Sequence, residues 1–497
     1  MQRYILSIDQ GTTSCRAILF DSAGKALGVG QKEFTQFFPK PGWVEHDPME
    51  ILSVQVSCIG DAISAAGIQP DQIACVGITN QRETTVVWDR DTGKPIYPAI
   101  VWQCRRTQKL SEELRHESSL FRDRTGLVPD AYFSGPKIRW ILENVDGAEK
   151  LARDGKLAFG TIDTWLIWNL TDGRSHLTEP SNASRTMVFN LETLDWDDEL
   201  LARLSIPRAI MPKIVASDAD FGTTSKNLVG FSAPILANLG DQQGALFGQG
   251  CFQQGMAKCT YGTGCFLLAN IGHTPRLAPG LLTTIAWKLD GQPATYAFEG
   301  AIFIAGAAVQ WLRDGLGIIA SSDETEALAA SIDSNEGVYF VPALVGLGSP
   351  WWNSDVRGTI VGLTRGSGRA HLVRAALESM AYQIADVALD IQEHGIQIEE
   401  LRVDGGATRN KFIVQFQSDL LQVPVIRSSQ TESTAWGVAA LAGIKAGLIT
   451  GLDEVSANWQ HDLTAMPARE CSSEYAGWRS ALQASFSCAG SPFKPAD

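Results

Sequence analysis

The sequence predicts an α/β protein of two domains, and three observations carry that reading. The chain runs to 497 residues, too many for one compact domain at roughly 100–200 residues each. Apolar strand-like runs alternate with helix-like stretches, the pattern of sheets covered by helices. A hairpin with a Gly/Thr turn near the N-terminus is echoed by another near the middle, as though an ancestral half had been duplicated.

Taken in order, residues 4–9, 16–21 and 26–34 read as three strands joined by a Gly/Thr/Ser turn and a second turn at 22–25. A helix with a defined start follows. Asp47 can cap it, Pro48 takes the first helical position, and Glu50 has capping-box spacing ahead of Ile51, Val54, Ile59 and Ile63. Residues 73–79 form a buried strand that ends in Asn80-Gln81-Arg82-Glu83, and 233–239 form another that runs into Gly240-Asp241-Gln242-Gln243. Residues 256–269 read as strand, Tyr261-Gly262-Thr263-Gly264 turn, strand. Beyond them come an apolar helix around 301–312, a long helix around 371–393, a strand at 401–403 ending in Asp404-Gly405-Gly406, and a last helical segment from about Thr434. Leu372, Ala376, Met380, Ile384, Ala388 and Ile391 recur at helical spacing and read as a core face. The domain boundary is expected near residue 247, giving domains 1–247 and 248–497.

Composition narrows the function. With 44% hydrophobic and 19% charged residues the chain has the balance of a globular protein. Lys and Arg number 41 against 55 Asp and Glu, a net charge of −14. Such a surface repels nucleic-acid phosphates and anionic lipid, so no nucleic acid and no membrane insertion are expected. Any phosphate must then be held by backbone amides, a metal ion or a few local side chains. The nine cysteines are scattered without a CxxC pair and read as free thiols. Asp9 interrupts the N-terminus before a signal-peptide apolar region can form, which leads us to expect a cytoplasmic protein.

The loops after strands carry the chemistry. In Asp9-Gln10-Gly11-Thr12-Thr13-Ser14 a carboxylate precedes a turn with three hydroxyls, suited to a phosphate and a hydrated Mg²⁺, although an ordinary hairpin turn uses the same residues. The loops at 240–243 and 404–407 could each be a strand-to-helix turn with an Asp cap. Together with Tyr261–Gly264 they suggest two facing domains that bind a nucleoside triphosphate between them, since open α/β sheets bind ligands beyond the carboxyl ends of their strands. No Gly-x-x-x-x-Gly-Lys-Ser/Thr motif is present, and the seven histidines show no metal-binding spacing.

Several stretches resemble the FGGY carbohydrate kinases of the actin-like ATPase superfamily. They are residues 9–14, 41–47, 77–85, 99–106, 182–187, 240–243, 261–266 and 404–407, with broader signatures over 133–144 and 358–378. The resemblance covers nearly the whole chain. It implies two actin-like (ribonuclease H-like) domains closing on ATP and Mg²⁺, transfer of a phosphoryl group to glycerol, release of ADP, and a homodimer or homotetramer. It further implies a substrate site of Arg82, Glu83, Tyr132, Asp241 and Gln242, with Trp102 and Phe266 as an apolar wall and Asp241 as general base. Thr12, Thr13, Ser14, Arg16 and Thr263 would meet the phosphates, Gly306 and Gln310 the nucleoside, and Gly406, Ala407 and Asn410 the adenine. Asp9 and Asp241 would face the metal. Composition alone reads Arg82-Glu83 as a surface ion pair; the resemblance makes it part of the site. Pro136, Asn353 and Trp436 depart from the family pattern.

Overall fold

In the computed structural model, which describes residues 3–493, the alternating apolar residues of the N-terminus form β1 (Tyr4–Gln10), β2 (Ser14–Phe20) and β3 (Ala26–Glu33) as antiparallel neighbours. Residues 1–2 and 494–497, at the ends of the two expected domains, lie outside the described residues. Helix α1 (Pro48–Ala66) buries Ile51, Leu52, Cys58 and Ile59 against this sheet. Asp47 caps it by accepting from Met49 N at 2.8 Å. Glu50, however, accepts from the backbone and hydroxyl of Thr35, so the expected capping box does not form. With a mean hydropathy of 1.2, α1 is also the one helix among the described residues that is long and apolar enough to cross a membrane; here its apolar face lies on β2 and β3.

Strands β4 (Ile73–Asn80) and β5 (Ile235–Gly240) complete the first sheet in parallel, in the order β5-β4-β1-β2-β3. Their register aligns Gln10 with Asn80 and Asn80 with Gly240. Three polar loops therefore leave the same end of the sheet side by side. Between β4 and β5 lies helix α2 (Ser134–Asn144), whose first turn contains Pro136, a position where proline removes no helical hydrogen bond. Immediately after β5 begins helix α3 (Asp241–Gly248).

The second sheet comprises β6 (Ala257–Tyr261), β7 (Cys265–Gly272), β8 (Leu282–Lys288), β9 (Ala294–Ile302), β10 (Leu401–Asp404), β11 (Val425–Ser428) and β12 (His461–Ala465), in the order β8-β9-β7-β6-β10-β11-β12. Its inner strands β9-β7-β6-β10-β11 repeat the order and sense of the first sheet, two antiparallel pairings followed by two parallel ones. The hairpin echo in the sequence is thus an echo in topology. The helix expected around 301–312 starts later: β9 continues to Ile302, and helix α4 (Gly306–Gln310) runs on as a π-helical turn over Trp311–Gly315. The long helix is α5 (Arg369–Glu393), which buries Ala376, Met380, Ile384, Ala388 and Ile391 as its spacing predicts. Helices α6 (Lys411–Leu421) and α7 (Ser433–Lys445) follow.

The halves meet where α3 crosses α7. A Cβ on Gly437 would lie 1.9 Å from the Gly244 carbonyl oxygen, and one on Gly248 2.0 Å from that of Ser433. Nearby, Trp436 packs its ring 5.5 Å from Phe20, within a core that also joins Ile5, Leu239 and Phe247 to Leu268 and Trp287. The bulk at position 436 therefore fills the seam between the sheets. Gly437→Ala is expected to destabilise the protein by about 1–3 kcal/mol, because the backbones must part to admit one methyl group. Urea unfolding checks this; a stability equal to the parent's would show that the crossing has slack.

Candidate functional site

The loops that leave the first sheet converge on a cleft facing the second. Asp9 at the end of β1 lies opposite Arg16 on β2, and the two form an ion pair of 2.8 Å. Arg16 also reaches Glu432, just before α7, at 2.6 Å, so this pair ties the phosphate-loop candidate to the other half of the chain. The turn itself closes with Gly11 N on the Ser14 carbonyl at 2.9 Å and leaves Thr13 exposed, with Thr12 and Ser14 half-buried. Thr12 Oγ1 accepts from Trp102 Nε1 at 3.0 Å, joining this turn to the expected apolar wall.

Arg82 and Glu83 are not a surface pair. They are 3% and 1% exposed, and each finds its partner elsewhere. Arg82 places Nε 3.1 Å from Asp241 Oδ1 and clamps Glu299 with Nη1 at 2.5 Å and Nη2 at 3.1 Å. Arg185 bridges the other side, donating from Nε to Glu83 Oε1 at 2.6 Å and from Nη2 to Glu299 Oε1 at 2.9 Å. The result is a buried row of alternating charge, Asp241–Arg82–Glu299–Arg185–Glu83. Gln243 Oε1 accepts from Nη1 at 3.3 Å as well, so the Arg82 guanidinium is shared among Glu299, Gln243 and Asp241. Burial drives the Glu83 carboxyl above its ordinary value against the pull of Arg185 and Arg82. At Glu299 burial pushes the same way, but the two arginines outweigh it and hold the carboxyl low. Glu83 also adopts a left-handed φ of 60°, a strained backbone of the kind that functional loops retain.

Asp241 opens α3, with Oδ1 accepting from Gln242 N at 2.7 Å in addition to facing Arg82. Among the described residues Oδ2 makes no hydrogen bond or ion pair, and the side chain is 31% exposed, which leaves one oxygen open to a ligand. Gln242 is oriented by Lys258, a buried lysine on β6 that also donates to Thr260 Oγ1 at 3.1 Å. Tyr132 is buried, stacked edge-on with Trp102 at 5.6 Å between ring centres, and Arg185 lies 5.5 Å from its ring. Lys137 Nζ donates to the carbonyls of Tyr132 and Phe133, holding that loop; burial lowers the amine to about 7. Phe266 packs on β7 with the core between the halves, whereas Trp102 and Tyr132 belong to a different core group.

On the other side of the cleft, Thr263, Gly306, Gln310, Gly406, Ala407 and Asn410 line one cavity of about 330 Å³. The sequence therefore identified a set of residues that distant elements bring together. Met380 lines this cavity too, so the core face of α5 doubles as its floor. Asn410 caps α6 through Ile413 N at 3.3 Å and donates to Thr325 Oγ1 at 3.2 Å. Sequence reasoning missed Arg185, Glu299, Lys137 and Lys258 as members of the site. A single acid in the apolar run Tyr296-Ala297-Phe298-Glu299-Gly300 was the available signal for Glu299.

Asp9 and Asp241 are the two carboxylates that would hold a divalent cation, and the charge of Asp241 already acts on Asp9. Burial raises the Asp9 carboxyl despite Arg16, and the charge of Asp241 raises it further. Asp9 Oδ2 is buried and faces Arg16 Nη2 at 2.8 Å, so its charge is already partly matched by a cation of the chain. Among the described residues no three His, Cys, Asp or Glu side chains gather as a metal cage. An ion held by two carboxylates and completed by water and phosphate oxygens is the habit of Mg²⁺.

The loop carrying Asp241 is anchored from below. Glu179 accepts from the amides of Ser181 and Asn182 and from Ser217 Oγ, each at 2.8 Å, and Ser181 Oγ accepts from Gly240 N at 2.9 Å. Burial pushes the Glu179 carboxyl up from 4.5 to about 7 against these hydrogen bonds. A raised folded-state value means the folded protein holds this proton more tightly than the unfolded chain. The associated stability is full below about pH 4.5 and is lost as pH rises through about 7. The parent's advantage over Glu179→Gln in urea unfolding should therefore shrink by up to about 3 kcal/mol from pH 5 to pH 8. An identical difference at both pH values would contradict the raised carboxyl.

Comparison with known proteins gives a consistent result. Residues 4–248 match the N-terminal domain, and residues 257–446 the C-terminal domain, of the FGGY family of carbohydrate kinases. A Thermotoga maritima protein named glycerol kinase 2 is 54% identical over 490 residues, covering 97% of this chain and 99% of that protein. A Bacillus mycoides glycerol kinase is 52% identical over 492 residues, covering 97% and 99%. Among solved structures, a Plasmodium falciparum glycerol kinase with ADP matches with a TM-score of 0.92 at 36% identity, over 97% of this chain and 98% of that one. A Lactobacillus acidophilus xylulose kinase, 21% identical with a TM-score of 0.87 over 98% of each chain, shares the fold.

Proposed function

This chain belongs to the FGGY family of carbohydrate kinases, and on that premise we propose that it transfers the γ-phosphoryl group of ATP to a terminal hydroxyl of glycerol, with Asp241 as general base. The observation that carries the reading is the asymmetry of Asp241: Oδ1 is fixed by Arg82 and Gln242 N, while Oδ2 is open to a ligand. A loose phosphoryl-transfer transition state asks for positioning and charge neutralisation more than for a strong base, so a held carboxylate suffices.

Glu83, fixed by Arg185, accepts from a second hydroxyl of the triol. Tyr132 and Trp102 form the wall along its carbon chain, together with Phe266. A site built from fixed donors and acceptors discriminates against analogues that lack a hydroxyl, because its own buried groups would be left unpaired. Asp241 Oδ2 takes the proton of the terminal hydroxyl late in the transfer. Thr12, Thr13, Ser14 and Arg16 line the phosphate side, and the 330 Å³ cavity takes the adenosine. Asp9 and Asp241 would hold Mg²⁺, Asp241 through a water so that Oδ2 stays available to the hydroxyl, and the ion would supply charge neutralisation on the phosphates. The lobes, 1–247 and 248–497, close over the substrates and exclude water that would compete as acceptor.

ADP release measured with glycerol, erythritol, dihydroxyacetone and xylulose tests the assignment. Glycerol is expected to stimulate turnover most strongly. Stimulation only by a ketose would move the substrate to another member of the family's range, and turnover indifferent to every acceptor would make the protein a plain ATPase.

A further inference from the structure

Glu299 belongs to the second sheet, yet its carboxylate is the centre of the charged row whose ends face the substrate. It is fully buried on β9, a strand with every residue buried, and it accepts from Arg82 Nη1 and Nη2 and from Arg185 Nη2. Arg82 in turn orients Asp241, and Arg185 orients Glu83. The two side chains assigned to hydroxyl recognition and proton transfer are thus aimed by one carboxylate supplied from the opposite half of the chain. Arg82, Arg185, Glu83 and Asp241 all come from residues 4–248, and Glu299 alone crosses from residues 257–446.

We infer that Glu299 is a positioning residue: by docking between Arg82 and Arg185 it sets the geometry of Asp241 and Glu83 and couples the arrangement of the two lobes to the acceptor site. The inference rests on the kinase reading above. Its physical basis is that a planar guanidinium has a fixed fork, so the direction of its Glu299-facing edge dictates the direction of Nε toward Asp241. Without a charge at the centre, both forks are released at once.

Two variants separate this role from simple packing. Glu299→Gln keeps the size and one acceptor oxygen but loses the charge; Glu299→Asp keeps the charge and loses one methylene. Positioning by charge predicts that Glu299→Gln lowers kcat and raises KM for glycerol, with kcat/KM down about 100-fold, while KM for ATP stays at the parent's value. Glu299→Asp should recover a large part of that loss. The reverse ranking, with Gln near the parent and Asp impaired, would overturn the inference, as would equal losses in both variants accompanied by a raised KM for ATP. Thermal melts establish that each variant is folded. Should Glu299→Gln fail to fold, Glu299→Asp decides alone: kinetics within a few-fold of the parent, with any loss confined to glycerol, support the inference, and a loss that also raises KM for ATP refutes it. The parent in the same assay tests the underlying reading separately. A parent that glycerol does not stimulate removes the kinase assignment, whereas a stimulated parent with an unaffected Glu299→Gln removes only the role of Glu299.

Discussion

Asp241→Asn is expected to lower glycerol-dependent ADP formation by about 10²–10⁴-fold, the usual loss when a general base is removed. The amide keeps the shape and can still accept from Gln242 N, but it cannot take the hydroxyl proton, and it weakens the hold of Arg82. KM for ATP should change little, because the adenosine cavity is built from other residues. A thermal melt should show a folded protein, since Asp241 is half-exposed and Arg82 retains Glu299. Turnover close to the parent's would remove Asp241 from the chemistry.

The second large effect concerns Arg185, which touches no substrate hydroxyl in this arrangement. Arg185→Leu leaves Glu83 buried without its ion-pair partner and Glu299 with Arg82 in place of two arginines. Removing one partner from a buried ionic network costs about 3–5 kcal/mol, because the remaining charges have been taken out of water without compensation. We expect the midpoint of urea unfolding to fall accordingly, and glycerol-dependent turnover to fall with it because Glu83 loses the group that fixes it. A small stability change would mean that water reaches the network.

Much of this was legible in the letters for a physical reason. Short-range signals set the N-terminal hairpins, the Asp47 cap and the core stripe of α5, since each depends on residues within one or two turns of one another. Glycine-rich loops after apolar strands marked the cleft because strand order brings such loops to one edge. Resemblance supplied the cavity residues from Thr263 to Asn410, which no local rule would have joined.

What stayed hidden is long-range. The run Ala301-Ile302-Phe303-Ile304 suits strand or helix, and pairing with β7 decided for strand up to Ile302. Glu50 has capping-box spacing, but the approach of Thr35 offers it a better pair of donors. Arg82 and Glu299 are 217 residues apart, and only the docking of the second sheet makes an isolated strand acid the partner of a loop arginine. Trp436, a departure from the family pattern, became intelligible once Phe20 was found beneath it.

What separates this enzyme from an ATPase is delivery of phosphate to a carbon-bound oxygen instead of to water. Phosphorus NMR of the products formed from ATP, Mg²⁺ and glycerol distinguishes the two. One glycerol phosphate, esterified at a terminal carbon, is expected in a one-to-one ratio with ADP. ADP accompanied only by inorganic phosphate would contradict it.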